Sequence, residues 1–212
     1  MKILRQPPAT YDWKPVRIAI VTGLSNPESC CLSEDQRSLL NAVSDGQNSA
    51  ILWNFPFIPD SVPRTDVRLL QASVANGLQF LRCGTSRYQQ LATPHWKALA
   101  EATGCLLIVT GSCGIQLLSC WSGVQKQAHA GRIRALALGP VGSGQPEFPV
   151  TVVQGSHDWI SRIWFRNPDH VVNGVGHLDY WKNTQSREIV LRWLRDSISE
   201  LSARPVFCPN IS

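Results

Sequence analysis

"LLIVTGSCGIQLL", residues 106–118, decides how the rest of the chain is read. An apolar, β-branched run closed by Gly111 predicts a buried strand, and "CGIQLLSCW" directly after it predicts a helix. Two side chains able to act as nucleophiles, Ser112 and Cys113, stand next to each other at the bend. The bend is either a tight strand-to-helix turn or an elbow that presents one of them. What the remaining segments place beside it separates the two readings.

Working outward, short apolar runs alternate with amphipathic segments, which predicts a parallel sheet covered by helices. "VRIAIVTG" (residues 16–23) reads as the first strand and "EDQRSLLNAV" (34–43) as a helix with Ser33 as its N-cap. "SAILWNFPF" is the second strand, ended by Pro56, and helical character returns in "DVRLLQASVANGLQFL" and "HWKALAEAT". "CLLIVTG" is the third strand, "RIRALALG" the fourth, "FPVTVVQG" the fifth, with Pro149 at its start, and "HVVNGVG" holds a short sixth. "SREIVLRWLRDSISEL" carries Ile189, Leu191, Trp193, Leu194 and Ile198 at roughly helical spacing and is expected to pack on the sheet. The expected fold is a three-layer α/β/α sandwich with a mostly parallel sheet of about six strands. It forms one domain over residues 1–212, with residues 1–15 as an N-terminal arm.

Composition narrows the function classes. With 43% hydrophobic and 17% charged residues the chain is expected to fold as a globular domain. The net charge of +5 raises nucleic acid as a partner, but the Lys and Arg residues are scattered and no basic run occurs, so none is expected. No stretch is long and apolar enough for a membrane span, and the start lacks a signal-peptide core. The seven cysteines match no ligand spacing and no ligand cluster is visible, so neither a metal nor an organic cofactor is expected. Several lie in apolar runs as small hydrophobes, which suits a reducing cytoplasm.

In open parallel sheets, function sits in the loops after the strands. Those loops offer Thr22-Gly23-Leu24, Gly111-Ser112-Cys113-Gly114, Gly155-Ser156-His157-Asp158-Trp159, and Gly174-Val175-Gly176-His177-Leu178-Asp179. In chain order they present a hydroxyl, an acid and an imidazole. At this point the chain resembles the α/β-hydrolase family, from Val16 to the C-terminus, with the middle third matched only by position. The family's elbow is small–x–nucleophile–x–small on a strained turn, where strand and helix backbones come too close for larger flanks. Centred on Ser112 the flanks are Thr110 and Gly114. Centred on Cys113 they are Gly111 and Ile115, and the β-branched Ile fits badly. The resemblance therefore favours Ser112. It departs from the commonest pattern at Thr110, where Gly is usual, and at Thr22, where His is common.

"PVTVVQGSHDWIS" resembles the strand and turn that carry the family's acid, which maps onto Asp158, and "HVVNGVGHLDYW" resembles the Gly-His turn that carries its base, His177. The resemblance implies a Ser112–His177–Asp158 triad and an oxyanion hole from the backbone N–H groups of Cys113 and Leu24. It also implies a trimmed member, with the usual two leading strands and the cap insertion missing. Bland readings stand beside these. Asp158 also reads as the N-cap of "WISRIWF", Asp179 as the cap of the last helix, His157 as a surface residue, and Trp159, Trp164, Tyr180 and Trp181 first as core or rim packing. Trp159 and Tyr180 are the candidates to line a substrate pocket.

The implied function is a serine hydrolase of a carboxylic ester or thioester, working through an acyl-enzyme. A non-catalytic binding or scaffold protein of the same fold and an acyltransferase are the alternatives. The expected partner is a small-molecule or carrier-bound acyl ester, with a homodimer left open.

Overall fold

The structure, a computed structural model, describes residues 8–23, 29–44, 48–57, 69–122, 132–144 and 146–202. In chain order the elements are β1 (Lys14–Thr22), α1 (Glu34–Asn41), β2 (Asn48–Asn54), α2 (Leu69–Cys83), α3 (Ser86–Glu101), β3 (Thr103–Gly111), α4 (Gly114–Ser122), β4 (Ile133–Leu138), β5 (Val150–Gly155), α5 (Trp159–Trp164), β6 (His170–Val172) and α6 (Thr184–Ser202). The six strands form one sheet in the order β2-β1-β3-β4-β5-β6. Every pairing is parallel.

Residue alternation along the strands builds two cores. Ala19 and Val21 of β1, Leu106 and Ile108 of β3, and Ala135 and Ala137 of β4 face one side, where they meet Cys83 of α2, Trp96 and Leu99 of α3, and Ile115 and Leu118 of α4. Ile18 and Ile20, Leu107 and Val109, and Leu136 face the other, against Leu39 and Leu40 of α1 and Val190 and Leu194 of α6. Both faces of the central strands are buried, which is why they read as unbroken apolar runs. Trp96 anchors the first core, edge-on to Phe55 and stacked on Trp121, each at a centroid distance of 4.5 Å. The three-layer architecture is the one expected.

Several boundaries differ from the sequence reading, among them β1, which begins at Lys14 within the expected N-terminal arm. Helical character before "HWKALAEAT" begins nine residues earlier than His95, at Ser86, because Thr85 caps the helix by accepting from the Tyr88 N–H. Pro94 lies inside that helix. The strand β2 stops at Asn54, before Pro56.

Register positions the site. Thr22 pairs with Gly111, Gly111 with Leu138, Leu138 with Val153, and Gly155 with Val172, so the carboxyl ends of five strands lie side by side. The first of these ends is pinned from the edge of the sheet. The buried Asn54 carboxamide accepts from the Thr22 N–H at 2.8 Å and donates to the Thr22 carbonyl at 3.2 Å. Residues 139–149 alone join β4 to β5, too few for a cap domain between them.

Candidate active site

The turn from β3 to α4 has the geometry of an elbow. Ser112 has φ +51, the one non-glycine residue with positive φ among those described. That backbone costs an L-residue about 1–2 kcal/mol and is sustained only by its surroundings. Those surroundings are main chain: the Ser112 N–H donates to the Leu138 carbonyl at 3.1 Å, and the Val141 N–H donates to the Ser112 carbonyl at 3.0 Å. The helix backbone meets the sheet at Gly114, where a Cβ would lie 2.1 Å from the Val21 carbonyl oxygen and 2.2 Å from Thr110 Oγ1. Thr110 is thus accommodated, and its buried hydroxyl makes glycine at 114 more necessary.

The three expected side chains come together. Ser112 Oγ lies 3.0 Å from His177 Nε2. His177 Nδ1 lies 3.0 Å from both carboxylate oxygens of Asp158. The acid is fully buried, while the imidazole keeps about a seventh of its surface exposed (14%). The two readings of Asp158 apply to one carboxylate, because Oδ1 also accepts from the Ser161 N–H at 3.0 Å and so caps α5. Burial opposes the charge on Asp158. Hydrogen bonds from His177, the Ser161 N–H and Tyr180 outweigh it and hold the carboxyl below its ordinary range.

Tyr180, expected to line a substrate pocket, is placed elsewhere. It is 3% exposed, its hydroxyl donates to Asp158 Oδ2 at 2.6 Å, and the same oxygen accepts from the Gly155 N–H at 2.7 Å. It supports the acid from behind. Burial and the neighbouring carboxylate raise its own pKa, so it stays a donor. Trp159 is 69% exposed on the rim, next in the chain to the acid.

Cys113 is buried, and burial pushes its thiol up to about 12. Its sulfur lies only 2.5 Å from where a Cβ on Gly23 would stand, so it packs on the end of β1 and does not face His177 as Ser112 does. Leu24, the other expected oxyanion donor, lies outside the described residues.

The histidine turn is closed by Asp179, whose carboxylate accepts from the Gly176 N–H at 3.2 Å. The expectation that Asp179 caps the last helix is corrected: Asn183 does so, its side chain accepting from the Ser186 N–H at 2.9 Å. His157 is exposed, as expected. Gly139 was missed. It ends β4 with φ +52, and a Cβ there would lie 2.5 Å from the Tyr180 ring and 2.6 Å from Asp158 Oδ2. Its signal was a glycine directly after the fourth strand, in "ALALGP".

No family model matches the chain, and no curated protein does. Solved structures similar to it include an α/β serine hydrolase without a lid from Xanthomonas campestris (15% identity, covering 94% of this chain and 88% of that one, TM-score 0.47). Others are an α/β-hydrolase enzyme from a lagoon-sediment metagenome (9%, 88% and 94%, 0.48) and a thermophilic esterase from Thermogutta terrifontis (11%, 90% and 92%, 0.45). The chain's own all-parallel sheet, its strand order and its strand–turn–helix elbow make the fold α/β-hydrolase-like.

Proposed function

We propose that this protein is a serine hydrolase that cleaves a carboxylic ester or thioester through an acyl-enzyme on Ser112. One observation carries the reading. A serine held at positive φ on a strand–helix elbow meets an imidazole whose far nitrogen is fixed by a buried, charged carboxylate.

The chemistry follows from that arrangement. Asp158 keeps the proton of neutral His177 on Nδ1, which leaves the Nε2 lone pair for the Ser112 hydroxyl. As Ser112 Oγ attacks the acyl carbon, Nε2 takes its proton, and the buried carboxylate stabilises the imidazolium. The proton then passes to the departing alcohol or thiol. Water repeats the sequence on the acyl-enzyme, giving up its proton to His177 and releasing the acid. The Cys113 N–H at the start of α4 is the first oxyanion donor. Exposed Trp159 offers an apolar rim to the acyl group.

The test is hydrolysis of short p-nitrophenyl esters and acyl thioesters by wild type and Ser112→Ala. Turnover lost in the variant, with folding intact, supports the reading. Equal turnover overturns it. Transfer to an added alcohol outrunning hydrolysis would make the same site an acyltransferase.

A further inference from the structure

On the sheet face away from α1 and α6, two cysteines from different helices meet. Cys83, the last residue of α2, and Cys120, in α4, bring their sulfurs to 3.3 Å. A chain of hydrogen bonds runs through the pair. The Gln116 amide Nε2 donates to Cys120 Sγ at 3.8 Å, the Cys120 thiol donates to Cys83 Sγ, and the Cys83 thiol donates to the Phe80 carbonyl at 3.0 Å. Cys83 is fully buried, whereas Cys120 is partly exposed. Cys120 is thus the residue of the pair open to a small solute, and its partner waits behind it with the sulfurs in van der Waals contact. An attacking thiol and a resolving thiol need that arrangement.

We propose that Cys83 and Cys120 form a redox-active dithiol that a hydroperoxide closes to an intramolecular disulfide. The Cys120 thiolate attacks the terminal peroxide oxygen, and the O–O bond breaks. The transferred OH makes Cys120 a sulfenic acid, and the alkoxide, or hydroxide when the oxidant is hydrogen peroxide, takes up the proton that the thiol had given to solvent and leaves as an alcohol or as water. Cys83 then attacks the Cys120 sulfur. An S–S bond forms, the S–O bond breaks, and the sulfenic hydroxyl departs as water with the Cys83 proton. Two thiols lose two electrons in all, and one peroxide gains them. The sulfurs must close from 3.3 Å to about 2.05 Å.

The local environment suits that order of events. With Cys120 ionised the contact runs the other way, the Cys83 thiol donating to the Cys120 thiolate at the same sulfur–sulfur approach; this holds the Cys120 thiol below its ordinary range and, together with burial, pushes Cys83 upward. Closure also has somewhere to act. Gln116, which donates to Cys120, accepts from the Ser143 N–H at 2.9 Å, and Ser119, one residue before Cys120, donates to the Gly144 carbonyl at 2.9 Å. The same face of α4 therefore carries both the dithiol and the 142–144 loop.

The experiment uses the full chain treated with a few equivalents of hydrogen peroxide, alkylated under denaturing conditions and digested without reductant. The expected result is a Cys83–Cys120 cross-linked peptide, with alkylatable thiols falling from seven to five per chain and recovering on reduction with dithiothreitol. In Cys120→Ser, Cys83 should stay alkylatable. In Cys83→Ser, Cys120 should be trapped by dimedone as the sulfenic acid. Should Cys83→Ser fail to fold, the wild-type cross-link and its loss in Cys120→Ser decide the matter. Both thiols remaining alkylatable while Cys31 is oxidised, or a cross-link joining any other pair, would overturn the proposal. None of these readouts depends on whether Ser112 is a nucleophile.

Discussion

Replacing Tyr180 with Phe removes one oxygen and leaves the ring that fills the space beside Gly139. That oxygen makes two buried hydrogen bonds, one donated to the Asp158 carboxylate at 2.6 Å and one accepted from the Gly155 N–H at 2.7 Å. A hydrogen bond to a charged group contributes about 1.5–3 kcal/mol, and a buried N–H left without a partner costs about 1–3 kcal/mol. The two losses overlap, so Tyr180→Phe should destabilise the fold by about 3 kcal/mol, or roughly 6–12 °C in Tm for a chain of this size. The pH dependence is specific. Asp158 is held below its unfolded pKa, so its contribution is complete above the ordinary carboxylate range and fades as pH falls through the depressed value. Removing the Tyr180 donor raises that folded value. The gap between wild type and variant should therefore be widest near neutral pH and narrow in acid, leaving only the share due to Gly155. Urea unfolding at a series of pH values measures this. A variant within about 0.5 kcal/mol of wild type at neutral pH, or a gap that widens in acid, would refute the assignment of Tyr180 as the support of the acid.

Three further outcomes are expected. Gly139→Ala forces a Cβ to within 2.6 Å of Asp158 Oδ2 at φ +52, and strain plus overpacking should cost about 2–5 kcal/mol by chemical denaturation. Ser112→Gly relieves the positive φ and should raise stability by about 1 kcal/mol while abolishing ester turnover, which thermal melts and an esterase assay check together. Asp158→Asn no longer offers His177 Nδ1 a charged acceptor, and kcat should fall by about 10⁴-fold with the fold retained.

The strand ends of this chain were legible because each closes an apolar run with glycine or a small polar residue. Reading those ends narrowed the candidates, and the resemblance to α/β-hydrolases picked out Ser112, Asp158 and His177, which the structure places in one hydrogen-bonded line. What stayed hidden depends on direction in space. Tyr180 follows His177 by three residues, and nothing in the string says that its hydroxyl turns inward onto Asp158 instead of outward onto a substrate. Asp179 and Asn183 are both fit to cap a helix, and only the length of the turn between them decides for Asn183. The helix ahead of "HWKALAEAT" stayed hidden as well, since α3 runs through Pro94 and is held by the Thr85 cap and the packing of Tyr88, Trp96 and Leu99 on both sides of it. Cys83 and Cys120 are separated by α3, β3 and most of α4, so their contact belongs to the packing of α2 on α4.

Intact-protein mass after incubation with a fluorophosphonate tests the central claim most directly, run on wild type, Ser112→Ala and Cys113→Ala. An activated serine gives one adduct on wild type, the same adduct on Cys113→Ala and none on Ser112→Ala. An adduct that survives Ser112→Ala, or folded wild type that takes none, would contradict it.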